Sequence, residues 1–97
     1  MKKCYIAGKI SDLEVSDYTT NFNVAKLEVK ELGYEPISPL DLPHAHDKSW
    51  NNYMKEDLIA MLQCECVYVL RNWRHSDGAK IEVNTALSVG INIIHQP

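Results

Sequence analysis

Cys66-Val67-Tyr68-Val69-Leu70, followed after five residues by Ser76-Asp77-Gly78-Ala79-Lys80-Ile81-Glu82, is the stretch that decides the fold. The first segment is a short, continuous apolar run and reads as a buried strand. The second opens a segment of helical period, with Ala79, Val83, Ala86 and Leu87 recurring on one face. A strand, a loop with Ser and Gly, and a helix whose first turns carry a glutamate are how an open α/β sheet builds a site. With Ala79 at 0° and about 100° per residue, the apolar face spans about −20° to +80° and Glu82 falls near −60°. Glu82 is therefore expected at the rim of the packing face, partly dry. The helix N-terminus nearby is expected to favour its ionised form. A carboxylate held in that way is a candidate nucleophile.

The same alternation runs along the whole chain. Lys3–Ala7 reads as a first strand ending at Gly8. Ser16 is placed to cap a helix over about 17–32, whose apolar positions Tyr18, Phe22, Ala25, Val29 and Leu32 share one face. Gly33 stops it. Tyr34–Ser38 reads as a second strand, at an edge because Pro36 cannot donate to a ladder. Pro39–Ser49 reads as a loop, and Ser49 caps a second helix over about 50–63, with Trp50, Met54, Leu58 and Met61 inward. A third helix over about 78–89 stops at Gly90, and Ile91–His95 is the last strand. The order βαβαβαβ predicts a parallel sheet of about four strands, joined by right-handed crossovers and with helices on both faces. This is a three-layer, flavodoxin-like α/β fold. Ligands in such sheets bind beyond the carboxyl ends of the strands. That rule selects Gly8-Lys9, the loop after Ser38, Arg71–Asp77 and the helix N-termini.

At 97 residues the chain is expected to form one domain. A hydrophobic content of 45%, a charged content of 24% and a net charge of −3 describe an ordinary globule. Without a basic excess, no nucleic-acid polymer or anionic membrane is expected as a partner. No apolar stretch approaches the roughly 20 residues that span a bilayer, and Met1-Lys2-Lys3 is not followed by an export signal. Cys4, Cys64 and Cys66 are an odd set, read as reduced thiols in a cytoplasmic protein.

Asp57 is the second unusual carboxylate. With Trp50 at 0° it falls near −20°, within or beside the apolar stripe, whereas Glu56 points away. Burial of an unpaired carboxylate raises its pKa or demands a partner, and Lys9 and Arg71 are the candidate partners. Two carboxylates of different character suit a retaining glycosidase, with Glu82 as nucleophile and Asp57 as acid. Ser76, Asp77 and Gly78, at the mouth of the third helix, either present N–H groups to a phosphate or sugar hydroxyl or simply form a cap and turn. Tyr5 either packs in the core or orients Glu82 with its hydroxyl. Arg71 and Trp73 follow the third strand and either contact a nucleotide or form an oligomer contact. Pro43-His44-Ala45-His46 and Cys64-Glu65-Cys66 supply no set of three or four ligands at a recognised spacing, so no metal is expected. Phosphate-binding glycine fingerprints are absent and no cofactor is expected.

Taken together, these pieces resemble a known pattern. They are Tyr5-Ile6-Ala7-Gly8, Asn21-Phe22, Trp50-x-x-Tyr53-Met54-x-x-Asp57-Leu58, Cys64-x-Cys66-Val67-Tyr68-x-Leu70 and Trp73-x-x-Ser76-x-Gly78-Ala79-x-x-Glu82. Nearly the whole chain is similar to a small domain family of bacteria and phages in the nucleoside 2-deoxyribosyltransferase-like superfamily. The resemblance implies cleavage of the N-glycosidic bond of a deoxynucleoside or nucleoside 5′-monophosphate. It gives Glu82 the part of a covalently glycosylated nucleophile. Asp57 would engage the base and its proton, Tyr5 would orient Glu82, and Ser76 would bind a 5′-phosphate. Gly8, Lys9, Arg71, Trp73, Asp77 and Gly78 are the further substrate-binding candidates. Lys9 stands where the family often has proline. The chain ends at Pro97, without the C-terminal residue that transferases lend to a neighbouring subunit, so hydrolysis is expected over transfer. The alternatives are a module that binds or sequesters a nucleotide or nucleotide-sugar intact, and an assembly protein without a ligand. A homo-oligomer, at least a dimer, is expected from the surplus of large aromatic side chains.

Overall fold

The computed structural model describes residues 1–97. Four parallel strands, β1 (Lys3–Ala7), β2 (Glu35–Ile37), β3 (Cys66–Val69) and β4 (Asn92–His95), lie in the order β2-β1-β3-β4. They alternate with α1 (Val15–Glu31), α2 (Trp50–Leu62) and α3 (Asp77–Val89). The α/β fold read from the alternation is the one found, with Pro36 on an edge strand.

Strand parity divides the core into two. On one face Cys4, Ile6, Cys66, Tyr68 and Leu70 pack against Phe22, Ala25 and Val29 of α1. On the other, Tyr5, Ala7, Val67 and Val69 pack against Met61 of α2 and Val83 and Ala86 of α3. Both central strands are buried on both sides, hence their unbroken apolar runs. Parity also sends Tyr5 towards α3 and not towards α1.

Ser49 caps α2 by accepting from the Asn52 N–H at 3.2 Å, and Ser76 caps α3 by accepting from the Ala79 N–H at 3.1 Å. Gly90 closes α3 at φ 81°, in the left-handed region, and the Ile91 N–H donates to the Ala86 carbonyl at 2.8 Å. Ser16 is not the cap expected of it. α1 begins at Val15, because the Glu14 carbonyl already accepts from the Asp17 and Tyr18 N–H groups. Leu32 and Leu87, both expected inward, are exposed. Leu32 sits beyond the last turn of α1, and Leu87 lies past the sheet-facing stripe of α3. On the α1 side, Glu28 accepts from the Tyr68 hydroxyl at 2.9 Å and from the Gln96 amide at 2.7 Å.

Gly8 leaves β1 beside the buried Leu70, and a Cβ at that position would lie 2.7 Å from Leu70 Cγ. No side chain fits without displacing a core leucine. Gly8→Ala is therefore expected to destabilise the chain by about 1–3 kcal/mol, read as a lower denaturant midpoint at unchanged slope. An unshifted midpoint would show that Leu70 yields freely.

Candidate active site

The carboxyl ends of β1, β2 and β3 open into a cleft of ≈ 840 Å³. It lies where the strand order reverses, between β1 and β3, as expected for an open parallel sheet. Its floor and walls include Gly8, Lys9, Asp57, Ser76, Asp77, Gly78 and Glu82. These candidates come from three separate stretches of sequence and are brought to one cavity.

Tyr5 is fully buried beneath this cleft, and its hydroxyl donates to Glu82 Oε2 at 2.6 Å. Both readings of Tyr5 hold at once: its ring is core, and its hydroxyl fixes the carboxyl. Lys9 and Arg71 do not pair with Asp57. The Lys9 ammonium donates instead to the His75 carbonyl at 2.6 Å, and its N–H donates to Asn72 Oδ1 at 3.1 Å. Asp57 Oδ1 is buried without a hydrogen-bond partner.

Two sequence expectations fail at this site. Arg71 lies on a separate, smaller depression with Asn21 and Gln96, away from the cleft. Trp73 packs against the core beside His95, with the Arg74 guanidinium 5.2 Å from its ring centroid. Arg71 lies in the turn after β3, and Trp73 opens the short 3-10 turn Trp73–His75 that follows. The cleft instead takes its aromatic surface from Tyr18, Trp50 and Tyr53, and adds Asp12 and His44. Periodicity placed Tyr18 and Trp50 in the core, so no signal in the sequence reassigned them.

The charge state of Glu82 also differs from expectation. Burial pushes its carboxyl up to about 8, overcoming the Tyr5 hydrogen bond, which lowers it, and with Asp57 pushing it further up. Glu82 is only 4% exposed. It is the sixth residue of α3, beyond the first turn where the helix dipole acts. Asp57 is raised to about 7, again chiefly by burial. Both carboxyls thus have elevated values, with burial the largest cause in each.

Two solved enzymes share this architecture. The 2-deoxyribosyltransferase of Bacillus psychrosaccharolyticus superposes with a TM-score of 0.72 at 18% identity, over 96% of this chain and 70% of that one. The 2-deoxyribosyltransferase of Leishmania mexicana gives 0.73 at 18%, over 98% of this chain and 63% of that one. At such identity the likeness is one of fold. Within that fold, the chain belongs to the family described as Domain of unknown function (DUF4406), which it matches over residues 2–95. No curated protein matches it. No helix is long and apolar enough to cross a membrane.

The elevated Glu82 value makes stability depend on pH. The folded carboxyl keeps its proton to about pH 8, whereas the ordinary value is 4.5. Its contribution is thus fully present below 4.5 and is lost as pH rises through 8. Unfolding free energy is expected to fall across that window by on the order of a few kcal/mol. Glu82→Gln, neutral throughout, should flatten much of the fall. Denaturation at about pH 5 and about pH 8.5 measures it, and equal declines in both proteins would contradict the assignment.

Proposed function

We propose that the chain is an N-glycosidase acting on a deoxynucleoside or nucleoside 5′-monophosphate through Glu82. The observation that carries this reading is the Tyr5–Glu82 hydrogen bond of 2.6 Å at the base of the cleft. A phenol aimed at one carboxyl oxygen orients the other for attack, and Asp57 lies in the wall of the same cavity. The cavity volume falls within the range of about 300–1,000 Å³ typical of small-molecule sites. Tyr18, Trp50 and Tyr53 offer faces on which a base can stack.

In the proposed reaction the Glu82 carboxylate bonds to C1′ while the C1′–N bond breaks, and the base leaves with a proton from Asp57. Water then cleaves the glycosyl ester, giving its proton to Asp57 and its hydroxyl to C1′. Ser76 engages its side chain in capping α3. The hydroxyl only accepts there, so its O–H remains able to donate to a 5′-phosphate beside the N–H groups at the mouth of this helix.

One observation favours a second reading, a module that binds its ligand intact. Glu82 is buried, which favours its protonated form, and a glutamic acid in that form donates a hydrogen bond and does not attack carbon. The two readings separate on incubation with deoxynucleosides and their 5′-monophosphates. The enzyme reading expects free base, and a loss of about a thousandfold or more in Glu82→Gln. Tight binding of a ligand recovered unchanged selects the module.

The enzyme reading also fixes a direction with pH. The reactive form has Glu82 ionised and Asp57 still protonated, so activity should be bell-shaped with pH. Tyr5→Phe should move the alkaline limb to higher pH by about one unit, because the lost hydrogen bond favours the carboxylate. A profile unmoved by Tyr5→Phe would remove Tyr5 from this role.

The cleft is proposed to be closed by a second copy of the chain. Trp50, in the cleft wall at the start of α2, is 50% exposed, and a self-complementary contact there would cover it. Sedimentation at micromolar concentration should give a dimer or larger species that dissociates in Trp50→Ala. A monomer in the unaltered chain refutes the closure.

A further inference from the structure

Beside the cleft, three side chains that no part of the proposed chemistry uses turn their donor atoms towards one another. His44 Nδ1, His46 Nε2 and Glu56 Oε1 all lie within 4.8 Å of each other. All three atoms are buried, and none has a hydrogen-bond partner. Asp57 Oδ1 is the only other such side-chain atom in the chain. His44 Nδ1 approaches Glu56 Oε1 to 2.6 Å and His46 Nε2 approaches it to 3.6 Å. The shorter approach is an ion-pair contact that makes no hydrogen bond. The three donor atoms border one small shared space.

We propose that His44, His46 and Glu56 form a binding site for a divalent transition metal of the zinc class. Two imidazoles and one carboxylate are a recognised zinc donor set, with metal–donor distances of about 2.0–2.2 Å. Donors in a tetrahedral shell of that size stand about 3.3 Å apart, so side-chain adjustments of an ångström or so complete the site. Imidazole donors select zinc, cobalt, nickel or copper over magnesium or calcium. Three protein ligands leave a coordination position open for water or a donor atom of a cleft ligand.

The surroundings hold the donors in place. The His44 backbone N–H donates to Glu56 Oε2 at 3.0 Å, which fixes the carboxylate with Oε1 facing the imidazoles. The Tyr53 ring meets both imidazoles edge-on, at centroid distances of 5.0 Å and 4.6 Å. His44 and Lys48 both take left-handed backbone conformations, at φ 52° and 67°, bending the loop so that both histidines face α2. Asp47 pins the loop to α2 by accepting from the Asn52 amide at 2.6 Å.

One contact must change on loading. The Lys48 N–H donates to His46 Nδ1 at 3.1 Å. A neutral imidazole that binds metal through Nε2 carries its proton on Nδ1. The Lys48 amide therefore turns away when metal binds, and this gives the site a local signature. His44 also lines the cleft, so the metal borders the cavity that holds Asp57 and Glu82. The inference does not rest on the glycosidase reading and holds equally for a binding module.

The test uses the whole chain, stripped with a chelator and titrated with zinc chloride by calorimetry and with cobalt chloride by visible absorption. One metal per chain is expected at micromolar concentrations. The cobalt form should show ligand-field bands without a thiolate charge-transfer band, and the Lys48 amide should shift in an amide-correlation NMR spectrum. Glu56→Gln and His46→Ala should each weaken binding by more than about 100-fold, since loss of an outer-shell partner alone costs about 10–100-fold. Failure to bind stoichiometric zinc overturns the proposal and leaves the cluster as a histidine–glutamate ion pair. A thiolate band in the unaltered chain, or unchanged affinity in Glu56→Gln, overturns it equally. The cobalt spectrum needs no variant, so a variant that fails to fold does not spoil the test.

Discussion

The pairing of β1 with β3 is the constraint from which the rest follows. Cys4 stands opposite Cys66, Tyr5 opposite Val67, Ile6 opposite Tyr68 and Ala7 opposite Val69. In a parallel pair buried on both faces, this register assigns each residue to one of two cores, and a slip by one residue would exchange them. Tyr5 would then face α1, and Glu82 would lose its hydrogen bond. The geometry of the candidate site is thus a consequence of strand parity. It also explains the glycine after β1: the chain turns out of the sheet against Leu70, at the one point where the strand order opens a cleft.

Most of the fold was legible because its signals are local. Alternating apolar runs, serine caps before α2 and α3, and glycine stops need only neighbouring residues. The site was legible where a residue lies on a regular element, as Glu82, Asp57 and Tyr5 do. It was not legible on irregular backbone. Arg71 and Trp73 follow β3 in sequence, but Arg71 borders a separate depression and Trp73 packs against the core, on a turn and a 3-10 segment whose course no periodicity encodes. Glu56 seemed to face solvent because a helical wheel knows nothing of the loop before the helix. That loop folds back to set two histidines against it. The charge of Glu82 escaped for a similar reason. Helix position was readable, whereas the degree of burial depends on all the elements packed around it.

The two carboxyls stand in unequal settings although both are raised. Glu82 has a fixed donor in Tyr5, which tempers the effect of burial, while Asp57 has an oxygen with no partner. Desolvation dominates in each case. An unpaired buried carboxyl is costly to the fold, and sites that hold such groups are where function and stability compete. The surrounding sheet, with its central strands fully covered, carries the stability that this arrangement gives up.

The Lys9 side chain ties the loop after β1 to the turn after β3 through the His75 carbonyl, and Asn72 holds the Lys9 backbone from the other side. Two segments distant in sequence are thereby a single wall before any ligand arrives. A molecule entering the cleft does not have to freeze this wall into place, so little ordering entropy is charged against its affinity. Discrimination between ligands at this edge then depends on fit to a preset shape. The opposite edge, formed by the loop that carries His44 and His46, is likewise tied down, through Asp47 and Asn52 of α2.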